Sequence, residues 1–263
     1  MPHIPEVTHL SFSPLGGAGA VAARVAAAQR SLGWRADLIT LVNTPFPRWT
    51  WKHPGIAASA LMDYFLVRKS SRSAFFSLYR NQHATRQVGS LAHKEGIIHL
   101  HWLPGFIWPP AFLDLPLKAR KLVWSVQDLW PFTGGCHYAN ECPGFTGTCS
   151  NCPQVRRPFR RAVTRALKRK QRVFRTRDDI LAVTPSEWAR SLVRSSAAMR
   201  NLPTAVIPNP VDTRLFRPMD RTACRVKWKL DSEAFVVGVG AADLREERKQ
   251  IPHTLKTLRH WIV

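Results

Sequence analysis

Short apolar, β-branched runs separated by longer stretches of helical periodicity limit the folds open to this chain more than any other feature. Val7 to Phe12, Ala36 to Val42, Ile97 to Leu100, Lys121 to Val126, Ile180 to Thr184 and Ala205 to Ile207 read as buried strands. Between them Gly19 to Leu32, Ser73 to Lys94, Pro158 to Arg177 and Glu187 to Ala198 read as helices. Strands this apolar are covered on both faces, and a β-α-β-α order then predicts an α/β fold built on a doubly wound parallel sheet. Ligands of such sheets gather at the carboxyl ends of the strands, so the loops after strands are where chemistry is to be sought.

A proline-rich segment, Ile207-Pro208-Asn209-Pro210-Val211-Asp212, fixes φ at two positions and suits an interdomain linker. Beyond it the pattern gives a short basic helix, a strand from Phe235 to Gly240 and a helix from about Ile251. One strand and two helices bury too little to form a core. The expected organisation is therefore a first domain over 1–205, a linker over 206–218, and the incomplete start of a second domain over 219–263.

Lys and Arg number 39 against 17 Asp and Glu, and the resulting charge of +22 favours anionic partners: nucleic acid, phospholipid surfaces or phosphorylated substrates. Met1-Pro2-His3-Ile4-Pro5-Glu6 has no basic stretch followed by an apolar run, so no secretory signal is read and a cytoplasmic location is expected. The apolar stretches near Ile56 to Val67 and Ile97 to Phe112 are broken by Asp63 or by His and Pro, short of the roughly 18 residues a spanning helix needs. Membrane contact is expected to be peripheral, at the inner face of the cell membrane.

Four groups of residues can carry chemistry. Pro14-Leu15-Gly16-Gly17-Ala18-Gly19 follows the first strand and opens a helix, where backbone N–H groups can approach an anion or where the glycines merely permit a tight turn. Trp124 to Tyr138 crowds Gln127, Asp128, Thr133, Gly134 and His137 among aromatics in one loop, a composition that fits a sugar site and equally a satisfied buried turn. Cys136, Cys142, Cys149 and Cys152 fall within 17 residues, the last two as C-x-x-C, while Cys224 stands apart. Four such thiolates can close around a structural zinc with no open position for catalysis. His137 can replace one of them, and disulfides or unligated thiols are the alternatives. Finally, Arg156 to Arg177 holds eleven Lys or Arg and no acid, with Phe159, Val163, Leu167 and Phe174 on an apolar stripe. That is a membrane-surface helix or an ordinary amphipathic helix with a solvated basic face. RNA binding is the weakest reading because no aromatics interleave with the basic face.

Taken in order, Gly16-Gly17-Ala18, Ile98-His99-Leu100-His101-Trp102, the Asp128 to Tyr138 loop with cysteines ending in Cys152-Pro153, Thr184-Pro185-Ser186-Glu187-Trp188, Ile207 to Asp212 and Arg248-Lys249 resemble bacterial retaining glycosyltransferases of family 4. The resemblance is to the branch associated with colanic acid and other exopolysaccharides. It implies a GT-B architecture of two Rossmann-like domains and a hexosyltransferase-like activity. A nucleotide-sugar donor would serve a glycan or lipid-linked acceptor, with retention of configuration and no catalytic cofactor. It further implies catalytic roles for Gln127 and Asp128, and donor or acceptor contacts at Gly16, Gly17, His101, Thr133, Gly134, His137, Asn209, Arg248 and Lys249. The first domain would take the acceptor, and the second, represented here by its start, the donor.

The chain departs from the family pattern at Gln127, where His commonly stands, and at Gln250, where Gly follows the Arg-Lys pair. It also reaches Val263 before the acidic donor-site motif. Two other readings stay open: a truncated, inactive remnant, and a basic zinc-containing protein that binds nucleic acid or anionic membrane.

Overall fold

The computed structural model of the chain describes residues 4–42, 54–68, 76–78, 96–104, 121–241, 244 and 249–260. It divides into two compact units, Met1–Pro210 and Val211–Val263.

In the first unit β1 (Glu6–Ser11) leads through α1 (Gly16–Ser31) to β2 (Arg35–Thr40), and α2 (Pro54–Leu66) precedes β3 (Ile97–Leu100) and β4 (Lys121–Ser125). Then come α3 (Arg160–Arg175), β5 (Ile180–Thr184), α4 (Glu187–Ser195) and β6 (Thr204–Val206). The six strands form one sheet in the order β2-β1-β3-β4-β5-β6, every pair parallel. This is the α/β, Rossmann-like arrangement that the alternating pattern predicts. Five of the six residues of β1 are buried, as expected for a strand covered on both faces.

Local chemistry explains the element ends. Ser186 accepts a hydrogen bond from Ala189 N at 3.3 Å and Glu187 occupies the first turn of α4, a capped and charge-matched start. The expected helix at Gly19 begins instead at Gly16, because Gly16 takes φ +76° and turns the chain into the helix three residues early.

The basic helix α3 shows how its two faces are used. Val163, Ala166, Leu167, Lys170, Val173 and Phe174 are buried, and all but Lys170 belong to the hydrophobic core with Leu100, Leu122, Trp124 and Ile180. Arg161, Arg165, Lys168, Arg169, Arg172 and Arg175 are exposed. Of the expected stripe Val163, Leu167 and Phe174 are committed to the protein interior, which removes the reading of a helix that inserts them into lipid, whereas Phe159 precedes α3 and is 36% exposed; the ordinary amphipathic helix with a solvated basic face is what is observed.

Two other expectations change. The predicted helix from Ser73 to Lys94 lies outside the described residues except at 76–78, where Phe76 forms an antiparallel bridge with Cys136. The predicted strand from Phe235 to Gly240 is not formed: the segment is exposed, Phe235 to 93%, and pairs with no strand among the described residues. Its β-branched pattern finds no neighbour to supply the ladder hydrogen bonds that strand geometry needs. The second unit contributes α5 (Arg221–Trp228), capped by Asp220 through Ala223 N at 2.6 Å, and α6 (Ile251–Arg259). No helix of the described residues is long and apolar enough to cross a membrane.

Candidate functional site

The sheet order places β2 on one side of β1 and β3 on the other, so the winding reverses between β1 and β3 and leaves a crevice at their carboxyl ends. Phe12 and Trp102, just beyond the two strands, tie its floor together. The Phe12 N–H donates to Trp102 O at 2.7 Å, and the two rings meet edge to face with centroids 5.3 Å apart. From Phe12 the chain turns at Ser13, whose hydroxyl accepts from Leu15 N at 3.1 Å, into the start of α1.

The glycines of this turn have different tasks. A Cβ on Gly19 would strike Ser13 O and lie 2.6 Å from the Pro14 carbonyl carbon, so Gly19 is demanded by packing. A Cβ on Gly16 or Gly17 would meet nothing within 4 Å. Both are exposed, which leaves the N-terminal amides of α1 open to an anionic ligand.

Past β4, Gln127 reaches the segment that follows β6. Its amide donates to Asn209 Oδ1 at 3.0 Å, and the Asn209 amide donates back to Gln127 Oε1 at 3.2 Å. Arg24 of α1 donates to Pro210 O at 3.4 Å, so this segment lies against α1 at the same carboxyl edge. The reciprocal pair is solvent-exposed and offers two donors and two acceptors.

Asp128, the next residue, points inward. Its Oδ1 accepts from Trp130 N at 3.0 Å, and its Oδ2 accepts from Trp102 Nε1 and His137 Nδ1, both at 2.6 Å. On its other side His137 Nε2 lies 3.0 Å from the Ser77 hydroxyl. Asp-His-Ser is the order of a nucleophilic relay, but His137 is 2% and Asp128 7% exposed, and the Ser77 N–H that would serve an oxyanion is given to Gly135 O at 2.8 Å. The network fixes the loop and, through Trp102, the crevice floor.

Thr133 and Gly134 belong to the same scaffold. Thr133 Oγ1 donates to Cys136 O at 2.6 Å, and a Cβ on Gly134 would collide with Val163 of α3, 2.7 Å from its carbonyl oxygen. Lys170 is fully buried beneath them. It donates to Trp130 O and to Thr133 O, the latter at 3.0 Å, and sits 4.1 Å from the Trp130 ring centroid. Burial pushes its ammonium down to about 7, opposed by the nearby Cys136, Asp128 and Cys149.

His101, read as a ligand contact, is buried in a row of histidines. Parallel pairing sets His9 opposite His99, and His101 lies two residues further along the same face. His9 Nε2 donates to Gln29 Oε1 at 2.6 Å, so its Nδ1 accepts from His101 Nε2 at 3.0 Å; His99 Nε2 meets Ser125 Oγ at 2.8 Å. Burial lowers all three, with the adjacent rings adding to it at His99, to about 3, and at His101, to about 2. Their ring nitrogens lie within 4.8 Å of one another. The existing hydrogen bonds occupy both His9 nitrogens, which assigns the row to the neutral interior of the sheet.

The four clustered cysteines line one pocket with Gly134, Phe145, Gln154 and Val163, and none of the five cysteines is paired in a disulfide. Lys249 precedes α6 and is exposed in the second unit, whereas Arg248 lies outside the described residues.

The structure therefore joins Gln127 to Asn209, and Asp128 to His137, while Thr133, Gly134 and His101 are interior. Ser77, Lys170, His9 and His99 are the residues that sequence reasoning missed. For the histidines a signal existed: with two strands adjacent in the sheet, His9 in Thr8-His9-Leu10 and His99 in Ile98-His99-Leu100 fall naturally in register.

Over 110 residues the chain is 30% identical to a protein of Escherichia coli (strain K12) named "Putative colanic acid biosynthesis glycosyl transferase WcaC". The matched stretch is 40% of this chain and 26% of that relative, so the similarity spans about a quarter of the relative's length. No protein-family model matches the chain.

Proposed function

We propose that the protein is a retaining, family 4-like glycosyltransferase that takes a nucleotide-sugar donor and extends a glycan or lipid-linked acceptor in exopolysaccharide assembly. The observation that carries this reading is the exposed Gln127–Asn209 amide pair at the carboxyl edge of the sheet, where α1 begins with two open glycines. The similarity to a named glycosyl transferase supports it.

A sugar hydroxyl donates and accepts, and two primary amides that do the same can exchange their mutual bonds for bonds to it without leaving a polar group unpaired. Gln127 does not titrate near neutral pH, so its role is to hold a hydroxyl or the sugar rather than to move a proton. Stabilisation of an oxocarbenium-like centre and of the departing diphosphate falls to fixed dipoles and cations. In the first unit the open N–H groups of α1 are of the right sign for this, and the family resemblance assigns the cationic part to Arg248 and Lys249. Asp128 acts as a positioning residue through Trp102.

The test is transfer of labelled sugar from a panel of nucleotide-sugars to a lipid-linked saccharide extract by the protein made from its own gene. Transfer with the donor's anomeric configuration is expected, with Gln127→Ala and Asn209→Ala each lowering it about 10-fold or more at unchanged thermal stability. The proposal is overturned if no nucleotide-sugar raises the melting temperature or yields product, or if both variants transfer as well as the parent.

A further inference from the structure

We propose that Cys136, Cys142, Cys149 and Cys152 form a tetrathiolate zinc site that clamps the Asp128 loop onto α3. Four observations converge on it. First, all four residues line one pocket although no regular helix or strand holds the loop: between β4 and α3 it has only single 3₁₀ turns at Trp130–Phe132, Gly144–Thr146 and Arg157–Phe159.

Second, backbone amides are aimed at the sulfurs. The N–H of Gly134 points at the Cys149 sulfur, and those of Gln154 and Val155 at the Cys152 sulfur. Amides two and three residues beyond a ligand favour a thiolate, which is the form that binds metal. Two of the sulfurs also converge on one spot: a Cβ on Gly144 would lie 3.3 Å from the Cys142 sulfur and 3.7 Å from that of Cys149. Third, Cys149 adopts φ +53°, in the left-handed region that costs a non-glycine residue on the order of 1 kcal/mol. Such a conformation is held only where something over-determines it.

Fourth, the surroundings have the charge that the centre needs. Zinc with four thiolates carries a net charge of −2, and the buried Lys170 amine is tied to the same loop, donating to Thr133 O at 3.0 Å while Thr133 Oγ1 donates to Cys136 O at 2.6 Å. Soft sulfur ligands in tetrahedral number select zinc over the hard cations. Among the described residues, the one group of three or more metal-ligating side chains whose ligand atoms all lie within 4.8 Å of one another is the histidine row. The cysteine sulfurs are therefore more widely set, and a bound ion would draw them inward within a pocket they already line. Disulfides would need the same approach, but they would leave the sulfur-directed amides without an anion to serve.

The experiment is metal analysis of the full chain, purified anaerobically from zinc-supplemented cells, together with reconstitution of the stripped protein with cobalt(II). About one zinc per chain is expected, with a tetrahedral cobalt d–d spectrum and a strong thiolate-to-cobalt charge-transfer band. Cys142 is the least buried of the four, so Cys142→Ser should fold, weaken the charge-transfer band and lower metal retention against chelator. Cys224→Ser should change none of these. Zinc-free protein with an unaltered melting temperature after chelation, an octahedral cobalt spectrum, or disulfides found by alkylation and mass measurement would each overturn the proposal. None of these readouts depends on sugar transfer, so the site stands or falls apart from the proposed activity.

Discussion

His9, His99 and His101 occupy the sheet interior as neutral rings, which makes the fold sensitive to acid. The unfolded chain binds protons at these rings near their ordinary value of 6.5, and the folded chain does not until far lower pH. Below about 6.5 the unfolded state binds more protons, so stability is intact above that pH and falls as pH descends toward 3. Melting temperature measured from pH 7.5 to pH 4 should drop steeply below 6.5, and a flat profile would contradict the neutral row. The glycines give a second expectation at this scale. Gly19→Ala should destabilise by about 1–3 kcal/mol because its Cβ meets backbone, while Gly17→Ala, with open space around it, should leave urea unfolding within about 0.5 kcal/mol of the parent. Loss of ligand affinity in the second variant alone would separate a binding role from a packing one. Residues of this kind were partly legible in the sequence: Gly16, Gly17, Gln127 and Asn209 stand out by following strands. Lys170 does not, since a lysine inside a basic run reads as solvated until the fold shows that it faces the core.

At the level of elements, α3 illustrates what periodicity can and cannot reveal. Spacing identifies the apolar stripe, yet whether that stripe meets lipid or protein depends on the sheet it lies against. Here it is buried, and Leu167→Ala should cost about 2–5 kcal/mol, read from urea denaturation. Replacing Arg165, Lys168 and Arg172 together by Gln should leave stability nearly unchanged, because these side chains are exposed. The same triple variant should bind anionic vesicles more weakly, and parent binding should decline with salt, since attraction at a solvated face is purely Coulombic. Vesicle binding indifferent to both would remove this face as a membrane contact. The strand expected at Phe235 to Gly240 failed for the complementary reason: β-branched residues favour a pleat only when a partner strand completes it.

For the molecule as a whole, the alternation of strands and helices was enough to read the parallel sheet, since a β-α-β order leaves few topologies open. The position of the crevice was not legible, because it depends on which side of β1 the third strand joins. The core resides in Met1–Pro210, and of the described residues in Val211–Val263 only Ile251 is buried among the hydrophobics. Limited proteolysis should therefore yield a resistant fragment ending near Pro210, detected by mass; early cleavage inside the sheet would refute that division. The short β6 also bears on how copies of the protein meet. It forms an outer edge of the sheet, is three residues long, and is bracketed by Pro203 and by Pro208 and Pro210. A proline offers no N–H to a neighbouring strand, so on this side a crowded or newly made chain presents almost no template onto which another could add.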